Sequence, residues 1–190
     1  CALPIFLDKP LTPTAERKLV AIKGYEGWVG RASIAVEALY SLTKELADFR
    51  VVFYSCNAKT IRLIRKAKRI TGLDISWFVK GALSHEQMLS LFSQARICIG
   101  LSLSDGISTS FLEAMAMGAL PIQTNTACVD DWVGSDSGSA RVISTERRAV
   151  VAAIRSGLTA DDAFQVLNRN KVQQRASSMS VKVLARAFYN

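Results

Sequence analysis

The sequence lacks the features that mark membrane, metal and disulfide proteins. No apolar run in its 190 residues approaches the ~20 that a membrane-spanning helix needs, and the first residues lack the charged-then-apolar layout of a signal peptide. The single histidine, His85, argues against a multi-histidine metal site. The four cysteines are scattered without a C-x-x-C pair, which argues against a zinc or disulfide framework. We therefore expect a cytoplasmic protein without metal, and a peripheral contact with the inner face of the membrane stays open.

Acidic residues are few compared with basic ones. The chain has 24 Lys and Arg against 16 Asp and Glu, a formal net charge of +8. Such a charge suits a partner that carries phosphate. A nucleotide diphosphate, a nucleic acid and an anionic membrane surface are the three alternatives. Because no aromatic-interleaved basic strand or recognisable reading helix is present, we expect no nucleic-acid partner.

The length predicts a single domain with one hydrophobic core. Residues 1–17 contain three prolines and no sustained period, so we interpret them as a linker that enters the domain. Residues 18–190 are predicted to form the domain itself.

From residue 18 onward, short apolar runs alternate with longer patterns of helical spacing. The strand candidates are 19–22, 51–56, 75–79, 97–101, 120–124 and 141–144, and the helix candidates are 32–47, 58–71, 84–95, 108–117, 146–157 and 160–190. Nearly unbroken apolar strands are typical of a parallel sheet covered on both faces. Ser84 and Gln87 predict a capping box at the third helix. The pattern predicts an α/β fold with a doubly wound, Rossmann-like parallel sheet of about six strands and helices on both faces.

The first candidate for chemistry is KGYEGWVGR, which follows the first strand. Lys23 and Arg31 flank the glycines Gly24, Gly27 and Gly30 before a helix begins. Glycines let the backbone approach an anion closely, and a helix N-terminus with two nearby cations suits a diphosphate. The alternative is that these glycines serve only the packing of a tight turn.

The second candidate is SDGISTSFLEAMAMGALPIQT, residues 104–124, which joins the fourth strand to the fifth through a helix. Asp105 lies just before the predicted helix and Glu113 about two turns along it, on a similar face. A carboxylate at the helix start can accept hydrogen bonds from sugar hydroxyls, and Glu113 can hold a ribose diol. Backbone N–H groups for phosphate or sugar oxygens come from Gly106, Ile107, Ser108 and Thr109. The alternative is an ordinary N-cap at Asp105 and an ordinary helix residue at Glu113.

This second segment resembles the donor-binding signature of the retaining glycosyltransferases of GT-B fold, the group 1 or family-four glycosyl transferases. The residues that match are Asp105, Gly106, Glu113, Ala114, Met115, Ala116, Gly118 and Pro121, and the resemblance covers about residues 18–135. It implies the C-terminal half of such an enzyme, which binds a nucleotide diphosphate-sugar as donor substrate. It also implies that an N-terminal domain holds the acceptor, and that transfer retains anomeric configuration without a metal or other cofactor.

The resemblance also implies roles for individual residues. Lys23 and Arg31 correspond to the basic pair that neutralises the diphosphate leaving group, and Glu113 to the ribose-binding glutamate. Asp105 corresponds to the first acid near the transferred sugar, where the family usually has Glu. Catalytic roles are therefore expected for Lys23, Arg31 and Asp105.

The family holds the nucleotide base near the end of the third strand, which corresponds to Lys80 and Gly81. Lys80 as a solvated strand-end charge is the alternative. The resemblance leaves the base and the sugar of the donor open, and UDP, GDP and ADP are the nucleotides to test. A second hypothesis is a non-catalytic nucleotide-binding or adaptor module that docks on a partner or a membrane through the basic run KTIRLIRKAKRI, residues 59–70. A solvated helix face also explains this run.

Overall fold

The architecture is a single six-stranded sheet with helices on both faces. The computed structural model describes residues 10–104, 108–126, 129, 133 and 138–178. A 3-10 helix, Thr14–Glu16, comes first. Within the described residues the strands and helices then follow in the order β1 (Leu19–Lys23), α1 (Ala32–Tyr40), β2 (Arg50–Cys56), α2 (Ala58–Thr71), β3 (Ile75–Val79), α3 (His85–Gln94), β4 (Ala95–Gly100), α4 (Thr109–Ala116), β5 (Leu120–Thr124), β6 (Arg141–Ile143), α5 (Arg147–Leu158) and α6 (Ala163–Ser178).

All neighbouring strands of the sheet are parallel, in the order β3-β2-β1-β4-β5-β6. This is the doubly wound, Rossmann-like arrangement that the sequence predicts. After β3 the chain crosses back over β1 to start β4, so the strand order reverses between β1 and β4. Ligand crevices of open α/β sheets lie outside the carboxyl ends of the strands at this reversal.

The two faces of the sheet bury two separate hydrophobic clusters. Val20 and Ile22 of β1 point to the face that α1, α2 and α5 cover, and Leu19 and Ala21 point to the face that α3 and α4 cover. This alternation within one strand is why β1 is apolar from Leu19 to Ile22, before Lys23 ends it. Helix α6 packs on the outer side of α4.

Helix α1 is shorter than its sequence pattern predicts. The pattern extends to residue 47, whereas the helix ends at Tyr40 and continues as turns. The Thr43 hydroxyl shares its hydrogen between the carbonyls of Leu39 and Tyr40, both at 3.4 Å, and so gives a partner to carbonyl groups at the end of the helix. Leu42 and Leu46 stay fully buried within the turns. Buried residues therefore keep a four-residue spacing beyond the helix end, which explains the overprediction.

Both ends of α2 and the start of α3 follow their local sequence. The Asn57 side chain caps α2 by accepting from the Thr60 N–H, and Gly72 ends that helix with φ of 70°. The capping box of Ser84 and Gln87 is present at the start of α3, as predicted. These caps fix where α2 and α3 begin, close to the ligand edge of the sheet.

The end of the predicted linker packs against the domain. Thr14 and Arg17 are each 2% exposed. The Thr14 N–H donates to Asp162 Oδ1 at 2.7 Å, and the Arg96 guanidinium donates to the carbonyl oxygens of Thr14 and of Ala160, the latter at 2.9 Å. Residues 12–17 are thereby held at the amino-terminal end of the sheet, opposite the ligand edge.

Candidate functional site

The candidate site is a crevice at the carboxyl ends of β1, β2 and β3, beside the strand reversal. Its volume is about 240 Å³. The structure brings four predicted site residues to its wall, namely Lys23, Gly81, Thr109 and Glu113. Three segments distant in sequence supply them: the end of β1, the turn after β3 and the first two turns of α4. Their convergence results from the sheet order.

The cationic end of the crevice lies against the start of α4. Lys23 Nζ donates to Ser108 Oγ at 3.4 Å. Ser108 precedes the first residue of α4, but its hydroxyl pairs with Ser110 Oγ at 2.9 Å and makes no side-chain capping bond to the helix backbone. The first N–H groups of α4 therefore rely on a partner other than this cap. A positive side chain and the positive end of a helix dipole thus meet at one point.

Glu113 also lines the crevice, and it pairs with His85. Glu113 Oε1 accepts from His85 Nε2 at 2.9 Å, and the two side chains are 16% and 50% exposed. His85 is the first residue of α3 and Glu113 lies on the second turn of α4. The sequence analysis does not predict this contact. The capping box located His85 on its helix, but no local pattern marks its neighbour on another helix.

A neutral, buried layer underlies the crevice. Burial raises the pKa of the Tyr54 phenol well above its ordinary value and the pKa of the Cys98 thiol to about 12. Their oxygen and sulfur atoms are 3.7 Å apart. Both groups stay protonated at neutral pH, so the crevice floor has no thiolate nucleophile and adds no negative charge.

Arg31 contacts its own loop. Its Nη1 donates to the carbonyl oxygens of Gly27 at 2.7 Å, Trp28 at 3.1 Å and Gly30 at 2.8 Å. The backbone around Arg31 is joined to the segment after β4, because the Arg31 N–H donates to the Leu101 carbonyl at 3.0 Å. Arg31 is not among the residues that line the crevice. In this arrangement its guanidinium braces the loop between β1 and α1.

Packing constrains Gly24 and Gly30, two of the three glycines of this loop. Gly24 is buried, its N–H donates to the Tyr54 carbonyl at 2.6 Å, and a Cβ at this position would clash with Cys56 Sγ. A Cβ on Gly30 would clash with the carbonyl oxygen of Tyr25. The steric alternative therefore accounts for these two residues.

Glu26 holds the start of α1, a role that the sequence analysis does not predict. Its side chain is 7% exposed, and its Oε2 accepts from the Ser33 N–H in the first turn of α1 at 2.7 Å. Lys59 Nζ lies 3.6 Å from Oε1, and the Asn57 side-chain amide donates to the Glu26 carbonyl. A carboxylate therefore already occupies the N-terminus of α1, the helix end that the sequence suggested for a diphosphate. The acid within a glycine-rich turn just before a helix is the signal that could have located this cap.

The remaining predicted residues differ in how they are placed. Lys80 is exposed next to the crevice residue Gly81, which has φ of 82°. Asp105, Gly106 and Ile107 lie outside the described residues.

The basic helix α2 makes several internal contacts. Lys68 Nζ donates to the Ile75 carbonyl at 2.8 Å, and the Arg65 guanidinium lies 5.7 Å from the centre of the Trp77 ring. Lys59 also pairs with Glu26, so three of the six cations of α2 contact residues of other elements in the same chain. Among the described helices, none has both the length and the apolar character needed to cross a membrane.

Several solved structures share this fold at low sequence identity. A Rickettsia africae ESF-5 glycosyltransferase matches with a TM-score of 0.67 and 18% identity over 90% of this chain and 46% of its own. An E. coli structure described as trehalose-6-phosphate bound with UDP-2-fluoro glucose matches with a TM-score of 0.73 and 12% identity over 98% of this chain and 48% of its own. A mutant of S. aureus TarM in complex with fondaparinux, alpha-GlcNAc-glycerol and UDP matches with a TM-score of 0.71 and 10% identity over 92% of this chain and 35% of its own.

The chain spans about half the length of the first two of these proteins, 46% and 48%. No curated protein sequence matches it. The sequence profile of the family described as Glycosyl transferases group 1 matches residues 17–160, which include every described residue of the crevice. With the fold and this match together, the chain belongs to the group 1 glycosyl transferases.

Proposed function

We propose that this chain is the donor-binding domain of a retaining glycosyltransferase and that its crevice binds a nucleotide diphosphate-sugar. The observation that carries the proposal is the meeting of Lys23, the start of α4 and Glu113 at the strand reversal. Such a site offers a cation and a helix N-terminus to a diphosphate, and a carboxylate to sugar hydroxyls.

The diphosphate is assigned to the end of the crevice formed by Lys23 and the first turn of α4. Lys23 Nζ lies 3.4 Å from Ser108 Oγ, so one phosphate can contact both the ammonium and the helix N–H groups near Ser108 and Thr109. The start of α1 is a poorer site, because the Glu26 carboxylate already accepts from its Ser33 N–H. Arg31 supports the diphosphate by holding the adjacent loop and by adding positive charge nearby.

The nucleoside is assigned to the other end of the crevice. Glu113 accepts from the ribose hydroxyls, and the backbone around Lys80 and Gly81 contacts the base. Both Glu113 and Gly81 line the same cavity as Lys23, which supports a single extended ligand. Asp105 is proposed to contact the transferred sugar.

In the proposed reaction the bond between the anomeric carbon and the diphosphate breaks. The acceptor bonds to the same face of that carbon, which retains configuration, and its proton leaves with the diphosphate. Negative charge grows on the departing diphosphate, and Lys23 with the dipole of α4 stabilises it without a metal. The protonated Tyr54 and Cys98 beneath the crevice add no opposing negative charge. The acceptor is proposed to bind an N-terminal domain, in line with structural neighbours that are about twice as long. A nucleotide-sugar donor agrees with the UDP and UDP-2-fluoro glucose in two of those structures.

Calorimetric titration of the chain with UDP, GDP and ADP tests the proposal. We expect one of the three to bind and to identify the base. Glu113→Ala and Lys23→Ala should each weaken that binding by roughly tenfold or more, because each removes a hydrogen bond to a charged group. Lys44→Ala, a change of the same kind at an exposed turn residue, should leave the affinity unchanged.

Two results contradict the proposal: no binding by any of the three nucleotides, and unchanged affinity in both site variants. The first result would favour the non-catalytic adaptor alternative.

A further inference from the structure

We infer that His85 is a positioning residue that holds the Glu113 carboxylate for the ribose of the donor. The inference rests on the proposed function, because it assigns a role to a neighbour of the ribose-binding group. Glu113 is largely covered, with 16% of its side chain exposed, and it lines the crevice. His85 is half-exposed outside the crevice wall and reaches Glu113 Oε1 from the solvent side at 2.9 Å.

Both residues stand on fixed backbone. His85 directly follows Ser84, whose capping box with Gln87 fixes the start of α3. Leu89 of α3 and Ala114 of α4 belong to the same buried cluster, so the two helices are packed into one core. The distance between His85 and Glu113 is therefore set by helix packing, and the pair needs no loop rearrangement to form.

The two carboxylate oxygens of Glu113 then have different partners, His85 for one and the ligand for the other. A lone glutamate samples several side-chain rotamers and must lose that freedom when a ligand binds. In this crevice His85 Nε2 donates to Oε1, which orients the group and leaves Oε2 for a ribose hydroxyl. The contribution of His85 thus depends on Glu113 and on a ligand that contains ribose.

A first experiment tests the pair without any ligand. His85 is the only histidine in the sequence, so its ring nitrogens give one resolved set of signals in ¹⁵N NMR. We expect the Nε2 signal to move in Glu113→Ala. The matched control is Glu86→Ala, which removes the exposed carboxylate next to His85 in sequence and should leave Nε2 in place. If the ¹⁵N chemical shift of Nε2 does not change in Glu113→Ala, or if it changes equally in both variants, the inference is overturned.

A second experiment tests the role. The probes are whichever of UDP, GDP or ADP binds, and inorganic pyrophosphate, which has no ribose. His85→Ala should lower the affinity for the nucleotide by about threefold to tenfold, which is the size expected for a half-exposed hydrogen bond to a carboxylate. The affinity for pyrophosphate should stay unchanged. His85→Gln, whose amide also donates, should restore most of the affinity. In a Glu113→Ala background, His85→Ala should have no further effect.

The outcomes separate this inference from the proposed function. If wild-type chain binds none of the nucleotides, both fail. If Glu113→Ala weakens the nucleotide and His85→Ala does not, only the role of His85 is overturned. Equal loss of nucleotide and pyrophosphate in His85→Ala would show a general structural effect and would also overturn it.

Discussion

Replacing Arg17 by methionine should destabilise the domain although Arg17 lies far from the crevice. The side chain is 2% exposed and serves carbonyl groups from three parts of the chain. Nε donates to the Thr12 carbonyl at 2.9 Å, and Nη1 donates to the carbonyls of Ala95 at 3.0 Å and Met117 at 3.1 Å. A fourth contact, to Phe92 at 3.5 Å, is longer and weaker.

The size of the effect follows from these contacts. Methionine fills a similar volume but removes the Arg17 donor from the carbonyls of Ala95 and Met117, at a cost of about 1–3 kcal/mol each, whereas the Thr12 carbonyl keeps a second donor, Gln165 Nε2 at 3.1 Å. Removing the buried charge offsets part of this loss. That charge is unfavourable, because burial and the nearby Arg169 lower the pKa of Arg17 to about 10. We expect a net loss of about 3 kcal/mol in the free energy of unfolding. For a chain of this length, the melting temperature should fall by roughly 6–12 °C.

Urea unfolding followed by circular dichroism measures this free energy, and thermal unfolding measures the shift in melting temperature. Arg17→Lys keeps the charge but loses the planar fork, so its stability should fall between wild type and Arg17→Met. Arg62→Met, at an exposed position of α2, is the matched control and should change stability by less than about 0.5 kcal/mol. If Arg17→Met melts within about 1 °C of wild type, the buried carbonyls do not depend on Arg17 and this reasoning is wrong.

Two further predictions concern the layer behind the crevice. Gly24→Ala should lower the free energy of unfolding by about 1–3 kcal/mol, because its Cβ would clash with Cys56 Sγ. Adding Cys56→Ala should recover part of that loss, which urea unfolding of the double variant measures. If the effects of the two substitutions are fully additive, the clash is contradicted. The thiols of Cys56 and Cys98 should resist iodoacetamide in the folded chain at mildly alkaline pH, with alkylation counted per cysteine by mass spectrometry. Burial raises their pKa values from 9.0 to about 11 and about 12, so the unfolded chain loses these protons first and stability should fall as pH rises through that window. Rapid alkylation of either folded thiol would show that it is accessible.

Local sequence patterns were sufficient to locate the strands. Central strands covered on both faces, such as β4 and β5, are almost unbroken apolar runs, and short apolar runs gave all six strands to within about two residues of their observed bounds. Helix α2 spans Ala58–Thr71, as predicted, because Asn57 and Gly72 are strong start and stop signals. The end of α1 was misjudged, because the turns after Tyr40 keep Leu42 and Leu46 buried at helical spacing.

Contacts between distant segments could not be read from any local period. The resemblance identified Lys23 and Glu113, and the sheet order brings them to one crevice. The pairing of Glu113 with His85 depends on how two helices pack, and no period within either helix encodes that distance. Arg31 differs, because its guanidinium contacts carbonyls only one to four residues away, and its predicted role at the diphosphate stays a prediction.

The bracing of the loop between β1 and α1 has a kinetic consequence. Arg31 holds three of its carbonyls, the Leu103 N–H donates to the Val29 carbonyl at 2.8 Å, and Glu26 ties it to α1. The conformational entropy of these residues is therefore lost when the domain folds, before any ligand arrives. If the proposed diphosphate docks beside this loop, ordering the loop costs little further entropy, so we expect association to proceed in one concentration-dependent phase.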